Sequence, residues 1–464
     1  MTAEIAIMNR QSVALAADSA GTTGSKVYTS VNKLFTLSKY HPVGIMFYGN
    51  SSLLGVPWET IVKIYRNRSA KRRFDSLESY ADDLISFLDS NQFLFPEEQQ
   101  QKYFYSLTYF CFKDLVAKIK KESDRLRLVA IEDKELREMK EEFYLNYSLN
   151  KVLIDEEKKL KEYVGEICTI NPEKNINTII DAYGQIISDI KEELFKEFST
   201  IDEEISKRLE RIASYSYYKG NITGVVIAGF GEKDIFPSLV SYIVTGIIDN
   251  KLIIRKNEKK SSKITFENRA EIFSFAISDV IDTFLYGIDP SFKKLIKQVF
   301  ERVLEEYPEK TFNHFVKVLE KETGDKNLIK KMKDGYDELK AEEKPEFDEL
   351  MKKFLEAAGE LNMKPINDAV TVLPKDEMAT MAEFLLKLTS LKQRFSMGYQ
   401  ESVGGLIDVA VISKVDGFVW IKRKHYFDSD LNRQFFDKYF LEDEDYEEKN
   451  KNNKYLEKIK RIVR

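Results

Sequence analysis

Three polar residues near the start of the chain have the types and spacing of a site for acyl transfer. Thr2 follows Met1, Asp18 ends a short apolar run, and Lys33 precedes another. If Met1 is removed, Thr2 carries both a hydroxyl and a free α-amine, which are a nucleophile and a base on one residue. An aspartate paired with a lysine would hold the lysine ammonium beside that hydroxyl. The pattern predicts hydrolysis of a peptide or amide bond that needs no metal and no cofactor.

Each of these residues also has an ordinary structural explanation. A small residue after an initiator Met is common, and an Asp at a strand end is often a turn former. A Lys before an apolar strand is often a solvated charge at a sheet edge. The three positions therefore become informative only together, in a fold that brings them to one place.

The composition excludes several classes of protein. The chain has 464 residues, of which 43% are hydrophobic and 32% charged, with a net charge of −5. These values fit a folded, helix-rich protein and give no overall positive charge for nucleic acid. Two distant cysteines and three scattered histidines predict neither a zinc site nor a disulfide framework, and favour a reduced, cytoplasmic setting.

We also expect no contact with a membrane and no secretory signal. No apolar run reaches membrane-spanning length. Glu4 and Arg10 interrupt the first apolar run, and no small-residue cleavage site follows one.

The β pattern occurs in blocks that are separated by charged helical segments. Alternating residues at Ile5 and Ile7 and short apolar runs predict strands between residues 3 and 48. A buried strand that ends in glycines is predicted at 222–231, and a hairpin at 241–255 that turns at Asp249-Asn250. A helix is predicted near residues 269–286. Antiparallel strands and helices in separate blocks predict an α+β layered fold.

The same pattern predicts the domain boundaries. A final helix and a hairpin complete a discontinuous core. The predicted parts are a core of residues 1–68, 219–290 and 376–426, a helical insertion at 69–218, a second helical insertion at 291–375, and a charged C-terminal tail at 427–464.

The core segments resemble a proteasome β-subunit and the bacterial HslV peptidase, which are N-terminal-nucleophile (Ntn) hydrolases. The resemblance covers about half of the chain and implies a four-layer αββα sandwich; the two helical insertions have no counterpart in that family. The matching segments are Thr2, Ala16-Ala17-Asp18-Ser19, Val31-Asn32-Lys33-Leu34, Gly44 to Gly49, Val225 to Phe230, and Val403-Gly404-Gly405.

The resemblance also implies roles for further residues. Backbone N–H groups at Tyr48 and Gly49 are expected to stabilise the oxyanion, and Ser19 and Ser402 are expected to support the site. The chain departs from the family at Tyr48, where a glycine is usual.

A second departure concerns an aspartate and two serines that surround the threonine in the family. Gln400 or a neighbour stands where the aspartate is expected, and the register around Ser402 is ambiguous by one residue. Ser274 and Ser278 are both candidates for the remaining serine.

Three functions follow from this pattern. The first is a cytoplasmic threonine-type peptidase that cleaves protein or peptide substrates; the family resemblance adds a homo-oligomer and allows an ATPase or adaptor partner. The alternative is a catalytically silent scaffold that binds protein partners through its helical insertions. The third is an amidase of the same broad fold that acts on small molecules.

Overall fold

The computed structural model describes most of the chain. The described residues are 2–23, 26–69, 72–91, 93–130, 138–167, 172–198, 201–220, 222–322, 326–396, 403–428 and 430–434. Contacts divide the chain into a unit of residues 1–421 and a unit of residues 422–464. The second unit contributes a short 3-10 turn at Asp430–Asn432, and most of the predicted tail lies outside the described residues.

Strands and helices alternate in blocks along the first unit. The strands are β1 (Ala3–Asn9), β2 (Ser12–Ala17), β3 (Gly21–Thr23), β4 (Lys26–Tyr28), β5 (Leu34–Thr36), β6 (Val43–Gly49), β7 (Ser52–Leu53), β8 (Val56–Pro57), β9 (Thr223–Gly229), β10 (Ser238–Ile248), β11 (Lys251–Lys256), β12 (Ser262–Lys263), β13 (Ala270–Ala276), β14 (Asp408–Ser413) and β15 (Gly417–Lys422). The α-helices are α1 (Trp58–Ser69), α2 (Leu77–Ser90), α3 (Glu97–Val129), α4 (Glu141–Ile167), α5 (Pro172–Leu194), α6 (Glu203–Gly220), α7 (Asp279–Tyr286), α8 (Pro290–Glu322), α9 (Lys326–Ala358), α10 (Lys364–Val370) and α11 (Lys375–Phe395). Short 3-10 and π segments lie at Glu258–Lys260 and Gly359–Met363.

Two antiparallel sheets form the centre of the first unit. The first sheet has the strand order β13-β1-β2-β14-β15, and the second has the order β11-β10-β9-β6-β5, with β12 also paired to β10. The described β–β pairings with an assigned register are antiparallel. The chain is therefore an α+β protein with antiparallel sheets, as predicted from its sequence.

One face of each sheet contributes to a shared hydrophobic cluster. Ala6, Met8 and Leu15 from the first sheet pack with Met46 and Val226 from the second. The period of two along a strand sends the intervening residues to the opposite face. Burying one large aliphatic side chain in this way stabilises the fold by about 1.5–3 kcal/mol.

The outer faces of the sheets are covered by helices. In the first sheet, Ile5 and Ile7 of β1 pack with residues of α7, α10 and α11. In the second sheet, apolar residues of β6, β9 and β10 pack with α1 and α2. Every residue of β1 and β2 is buried, because both faces of these strands are covered.

The helix predicted near residues 269–286 is wrong in its first half. Residues 270–276 form β13, which pairs with β1 from Ala3–Ala276 to Asn9–Ala270, and only α7 is helical. Phe273 and Phe275 alternate into the cluster between the sheets, so burial against β1 decides the structure. The hairpin turn at Asp249-Asn250 is present, with positive φ angles of 49° and 59°.

The helical insertions pack in different ways. Helices α3 to α6 form a hydrophobic cluster that also includes Ile248 of β10. Helix α2, which lies in the same sequence range, packs on the second sheet. In the second insertion, α10 contributes Val370 to the cluster outside the first sheet. Both insertions belong to the same compact unit as the sheets.

Candidate active site

Asp18 connects four segments of the chain beside Thr2. Its Oδ1 accepts a hydrogen bond from the backbone N–H of Ala3 at 3.1 Å and lies 2.5 Å from Nζ of Lys33. Its Oδ2 accepts backbone hydrogen bonds from Ala20 at 3.2 Å and Gly404 at 3.1 Å. Each carboxylate oxygen therefore has two donors, which satisfies the acceptor capacity of the group.

Strand pairing places Thr2 and Lys33 on either side of this carboxylate. Thr2 precedes β1, and its carbonyl accepts the N–H of Ile277 at 3.0 Å, which extends the pairing with β13 by one residue. Lys33 precedes β5 in the other sheet, and its carbonyl accepts the N–H of Phe47 at 3.0 Å. Because Ala3 N and Lys33 Nζ share one oxygen of Asp18, the ammonium lies next to the Thr2–Ala3 peptide. Thr2 and Lys33 are each only 5% exposed.

Ser19 connects the same region to the segment that precedes β14. Its N–H donates to the carbonyl of Gly404 at 3.2 Å, and its hydroxyl donates to the carbonyl of Leu406. Gly405 has a φ of 77°, and a Cβ there would lie 2.8 Å from Thr29 O. Glycine is therefore required where this segment passes close to the site. Ser402 and Gln400 lie outside the described residues.

The backbone N–H groups at the end of β6 point in two directions. Phe47 N–H faces β5, and Asn50 N–H donates to Ile222 O on the β9 side at 3.0 Å. Successive N–H groups of a strand point to opposite edges. The N–H of Tyr48 thus points toward β9, whereas the N–H of Gly49 points to the edge on which Lys33 lies.

Gly49 also has a backbone conformation that favours glycine. Its φ is 89°, and a Cβ at this position would lie 2.4 Å from the carbonyl oxygen of Ile222. Of Tyr48 and Gly49, the residue whose N–H faces the site is therefore the one that has no side chain.

The ring of Tyr48 occupies space between the sheets. It packs against Phe275 with ring centroids 5.6 Å apart and lies over Gly224, where a Cβ would come within 1.9 Å of the ring. Burial raises the pKa of Tyr48 to about 12, so the phenol stays neutral. Gly224 opposes Tyr48 in the β6–β9 register, and its missing side chain makes room for the ring.

Glu4 is a buried carboxyl group near the proposed site. In the sequence it is seen only as a charged residue that interrupts an apolar run. It is 0% exposed, and both carboxyl oxygens lack a hydrogen-bond partner among the described residues. Burial raises its pKa to about 8, the nearby Lys33 lowers it, and Asp18 raises it. Glu4 therefore lies close enough to the Asp18–Lys33 pair to interact with it electrostatically.

A second polar cluster adjoins the β13 side of Thr2. The carboxylate of Asp282 accepts hydrogen bonds from the hydroxyls of Ser278 at 2.6 Å and Ser274 at 3.1 Å. Nζ of Lys260 donates to the carbonyl of Ser274 at 2.9 Å, and burial lowers the pKa of this lysine. Both predicted serine candidates thus share one carboxylate. The spacing of four residues between Ser278 and Asp282 at the start of a helix is a sequence signal from which this contact could have been predicted.

The described part of the chain gives no indication of a metal site or a membrane span. No group of three or more His, Cys, Asp or Glu side chains within it is suited to hold a metal ion. None of its helices combines the length and the apolar character that crossing a membrane requires.

Comparisons with known proteins add little to this geometry. No protein-family model and no curated protein matches the chain. Among solved structures, the chain is similar to Anbu (ancestral beta-subunit) from Yersinia bercovieri, with 8% sequence identity, a TM-score of 0.24 and 95% of each chain covered. A similarity at this level carries no argument about activity, which must be inferred from the residues themselves.

Proposed function

We propose that this protein is a threonine-type peptidase or amidohydrolase in which Thr2, freed at its amino group by removal of Met1, is the nucleophile. The observation that carries the proposal is the buried Asp18 carboxylate, which binds the Thr2–Ala3 peptide and the Lys33 ammonium with the same oxygen. A solvated lysine and a turn-forming aspartate would not require this shared, buried contact.

The proposal includes the four-layer αββα architecture of Ntn hydrolases. Two antiparallel sheets with a common hydrophobic cluster and helices against their outer faces support it. In this arrangement Thr2 and Lys33 come from different sheets, so that the site forms only when the sheets pack.

The chemistry of each step follows from the groups present. The free α-amine of Thr2, with a pKa of about 7.7–8.0 in model peptides, accepts the proton of the hydroxyl directly or through water. The Lys33 ammonium favours the alkoxide by its charge, and Asp18 holds the ammonium in place. Attack on a carbonyl gives an acyl-enzyme ester, which water hydrolyses.

Gly49 is the better candidate for the oxyanion donor. Its N–H faces the edge where Lys33 lies, while that of Tyr48 faces β9. One such donor contributes about 3 kcal/mol to transition-state stabilisation. Ser19 would support the site by fixing the Gly404–Leu406 segment that donates to Asp18.

The wider setting is part of the same proposal. Peptides or proteins are the substrates, the protein works in the cytoplasm, and copies of the chain assemble into a homo-oligomer. An ATPase or an adaptor would deliver protein substrates to such an assembly.

The alternative function is a catalytically silent scaffold that binds protein partners through the helical insertions. Two observations favour it: Tyr48 stands where the family has glycine, and helices α3 to α6 supply nearly all of the residues of one hydrophobic cluster. An amidase for small molecules would use the same site as the peptidase and differ only in substrate.

The deciding experiment is covalent labelling by an epoxyketone that requires a side-chain hydroxyl and a free α-amine on the N-terminal residue. Intact mass first shows whether Met1 is absent. In Met-free protein we expect stoichiometric labelling of the wild type, retained labelling in Thr2→Ser, which keeps the hydroxyl, and loss in Thr2→Ala and Lys33→Ala.

The matched control is Lys63→Ala, because Lys63 is an exposed lysine on α1 and its removal should leave labelling unchanged. Folded, Met-free wild type that does not react would contradict the peptidase and favour the scaffold. Cleavage of a peptide library, compared with simple amides, then separates a peptidase from an amidase.

A further inference from the structure

Glu4 is a buried carboxyl group for which the proposed hydrolysis has no role. It is fully buried, and neither carboxyl oxygen has a hydrogen-bond partner among the described residues. Burying an unpartnered polar group costs free energy, so such groups are rare and need an explanation. This one lies two residues from the proposed nucleophile.

Strand geometry places Glu4 directly behind Thr2. Side chains of a strand alternate between its faces, so those of Thr2 and Glu4 share the face that packs against the second sheet. Glu4 opposes Ala17 on β2 and Phe275 on β13, which both belong to the cluster between the sheets. The carboxyl group therefore lies deeper between the sheets than Thr2, next to Asp18.

The ionisable groups around Glu4 come from each neighbouring element. Lys33 and Asp18 act on its charge, and its charge acts on Tyr48 of β6. Behind Phe275, Lys260 lies 5.9 Å from the ring centroid and donates to a backbone carbonyl. Lys33 is the cation that acts on Glu4 itself, and an ammonium has three N–H donors, so the contact with Asp18 leaves donors for a second acceptor.

Burial raises the pKa of Glu4 to about 8, so the carboxyl group holds its proton at neutral pH and releases it to solvent in the alkaline range. That range overlaps the one in which a free α-amine of Thr2 becomes neutral. Loss of a proton from the α-amine would supply the base that activates the Thr2 hydroxyl. Loss of a proton from Glu4 would add a negative charge that opposes this activation.

Building on the function proposed above, we propose that Glu4 is a positioning residue that determines where the Lys33 ammonium points. Protonated Glu4 leaves the ammonium to Asp18 and to the Thr2 hydroxyl. Ionised Glu4 accepts a hydrogen bond from the ammonium and draws it away from that hydroxyl. Its negative charge also opposes formation of the alkoxide, so the acylation of Thr2 slows as pH rises.

The first test is the pH profile of epoxyketone labelling in wild type, Glu4→Gln and Glu271→Gln. Glu271 is a matched control, because burial also raises its pKa and it opposes Met8, toward the other end of β1. We expect the labelling rate of wild type and Glu271→Gln to fall about tenfold per pH unit above the upper midpoint. Glu4→Gln should instead reach a plateau, and an unchanged alkaline decline in this variant would overturn the proposal.

The second test needs no reaction at Thr2. The infrared carbonyl band of protonated Glu4, isolated by subtracting the Glu4→Gln spectrum, should be present at neutral pH and titrate in the alkaline range. Its midpoint should rise by about one pH unit or more in Lys33→Met, which removes the cation, and fall in Asp18→Asn, which removes the anion.

A missing band at neutral pH, or the same midpoint in both variants, would overturn the role of Glu4. If wild type is not labelled at any pH but the midpoints move as expected, the hydrolase proposal fails and the contact between Glu4 and Lys33 stands.

Discussion

Asp18 and Lys33 form an ion pair of 2.5 Å in which both side chains are almost completely buried. A buried ion pair is held in place because each charge would be costly alone. The pair links the first sheet, through the end of β2, to the second sheet, through the start of β5. It therefore makes the geometry of the site depend on the packing of the two sheets.

Replacing Asp18 with Asn should leave the buried Lys33 ammonium without the carboxylate that it pairs with. We expect the free energy of unfolding to fall by about 3–5 kcal/mol and labelling of Thr2 to be lost. Urea denaturation measures the first effect. The double variant Asp18→Asn/Lys33→Met should recover part of the stability but none of the labelling, because it removes the unpaired charge and the activating group together. If the Asp18→Asn variant were as stable as the wild type, the ion pair between Asp18 and Lys33 would contribute no stability.

Glu4 should make the fold less stable as pH rises. Burial raises the pKa of Glu4 from an ordinary value of 4.5 to about 8, so between these values the folded state binds a proton that the unfolded state has released. Stability must therefore fall with rising pH across this window and level off above it. The full effect is at most about 5 kcal/mol, from 1.36 kcal/mol per pKa unit.

The measurement is chemical denaturation of wild type and Glu4→Gln at several pH values. The stability difference between them should move in favour of Glu4→Gln as pH increases. A difference that does not depend on pH would contradict a raised pKa for Glu4, whatever the activity of the protein.

Tyr48 and Gly224 should be energetically coupled. A Cβ at Gly224 would lie 1.9 Å from the Tyr48 ring, so Gly224→Ala should destabilise the protein by about 1–3 kcal/mol through overpacking. Tyr48→Ala should lower the free energy of unfolding by a comparable or larger amount, because it leaves a cavity. In the double variant the new methyl group fills part of that cavity, so its loss of stability should be smaller than the sum of the single losses. Additive losses, measured by thermal unfolding, would contradict the contact.

Much of the fold follows from local sequence patterns, but the polar site does so only in part. Short apolar runs bounded by turn residues identified the strands around Asp18 and Gly49, since a strand that is buried on both faces is apolar at nearly every position. The strand β13 was missed because Ile277, Val280 and Phe284 lie at helical spacing, so that the apolar residues before them were assigned to the same helix. Only pairing with β1, a contact between residues far apart in sequence, resolves that ambiguity.

Glu4 and Asp282 could not be found from residue type alone. From its residue type, the glutamate after Ala3 is expected to be exposed. Its burial can be predicted only when both faces of β1 are known to be covered by other elements. Asp282 resembles an ordinary acidic residue in the first turn of a helix. Its role depends on the Ser274 hydroxyl, which comes from the preceding strand.

Asp282→Asn should weaken the support of Thr2 from the β13 side. The carboxylate accepts the hydroxyls of Ser274 and Ser278 with separate oxygens, and an amide can accept only one of them. The N–H of Ile277, which lies between the two serines in sequence, donates to the carbonyl of Thr2. A displacement of this backbone segment would therefore move the nucleophile. We expect slower epoxyketone labelling and a stability loss of about 1.5–3 kcal/mol, typical for hydrogen bonds to a charged group. Asp279→Asn is the matched control, because it removes the same charge from the same helical turn but affects the ion pair with Lys392 of α11 and not the two serines. Equal labelling rates in the two variants would show that the Asp282 cluster does not position Thr2.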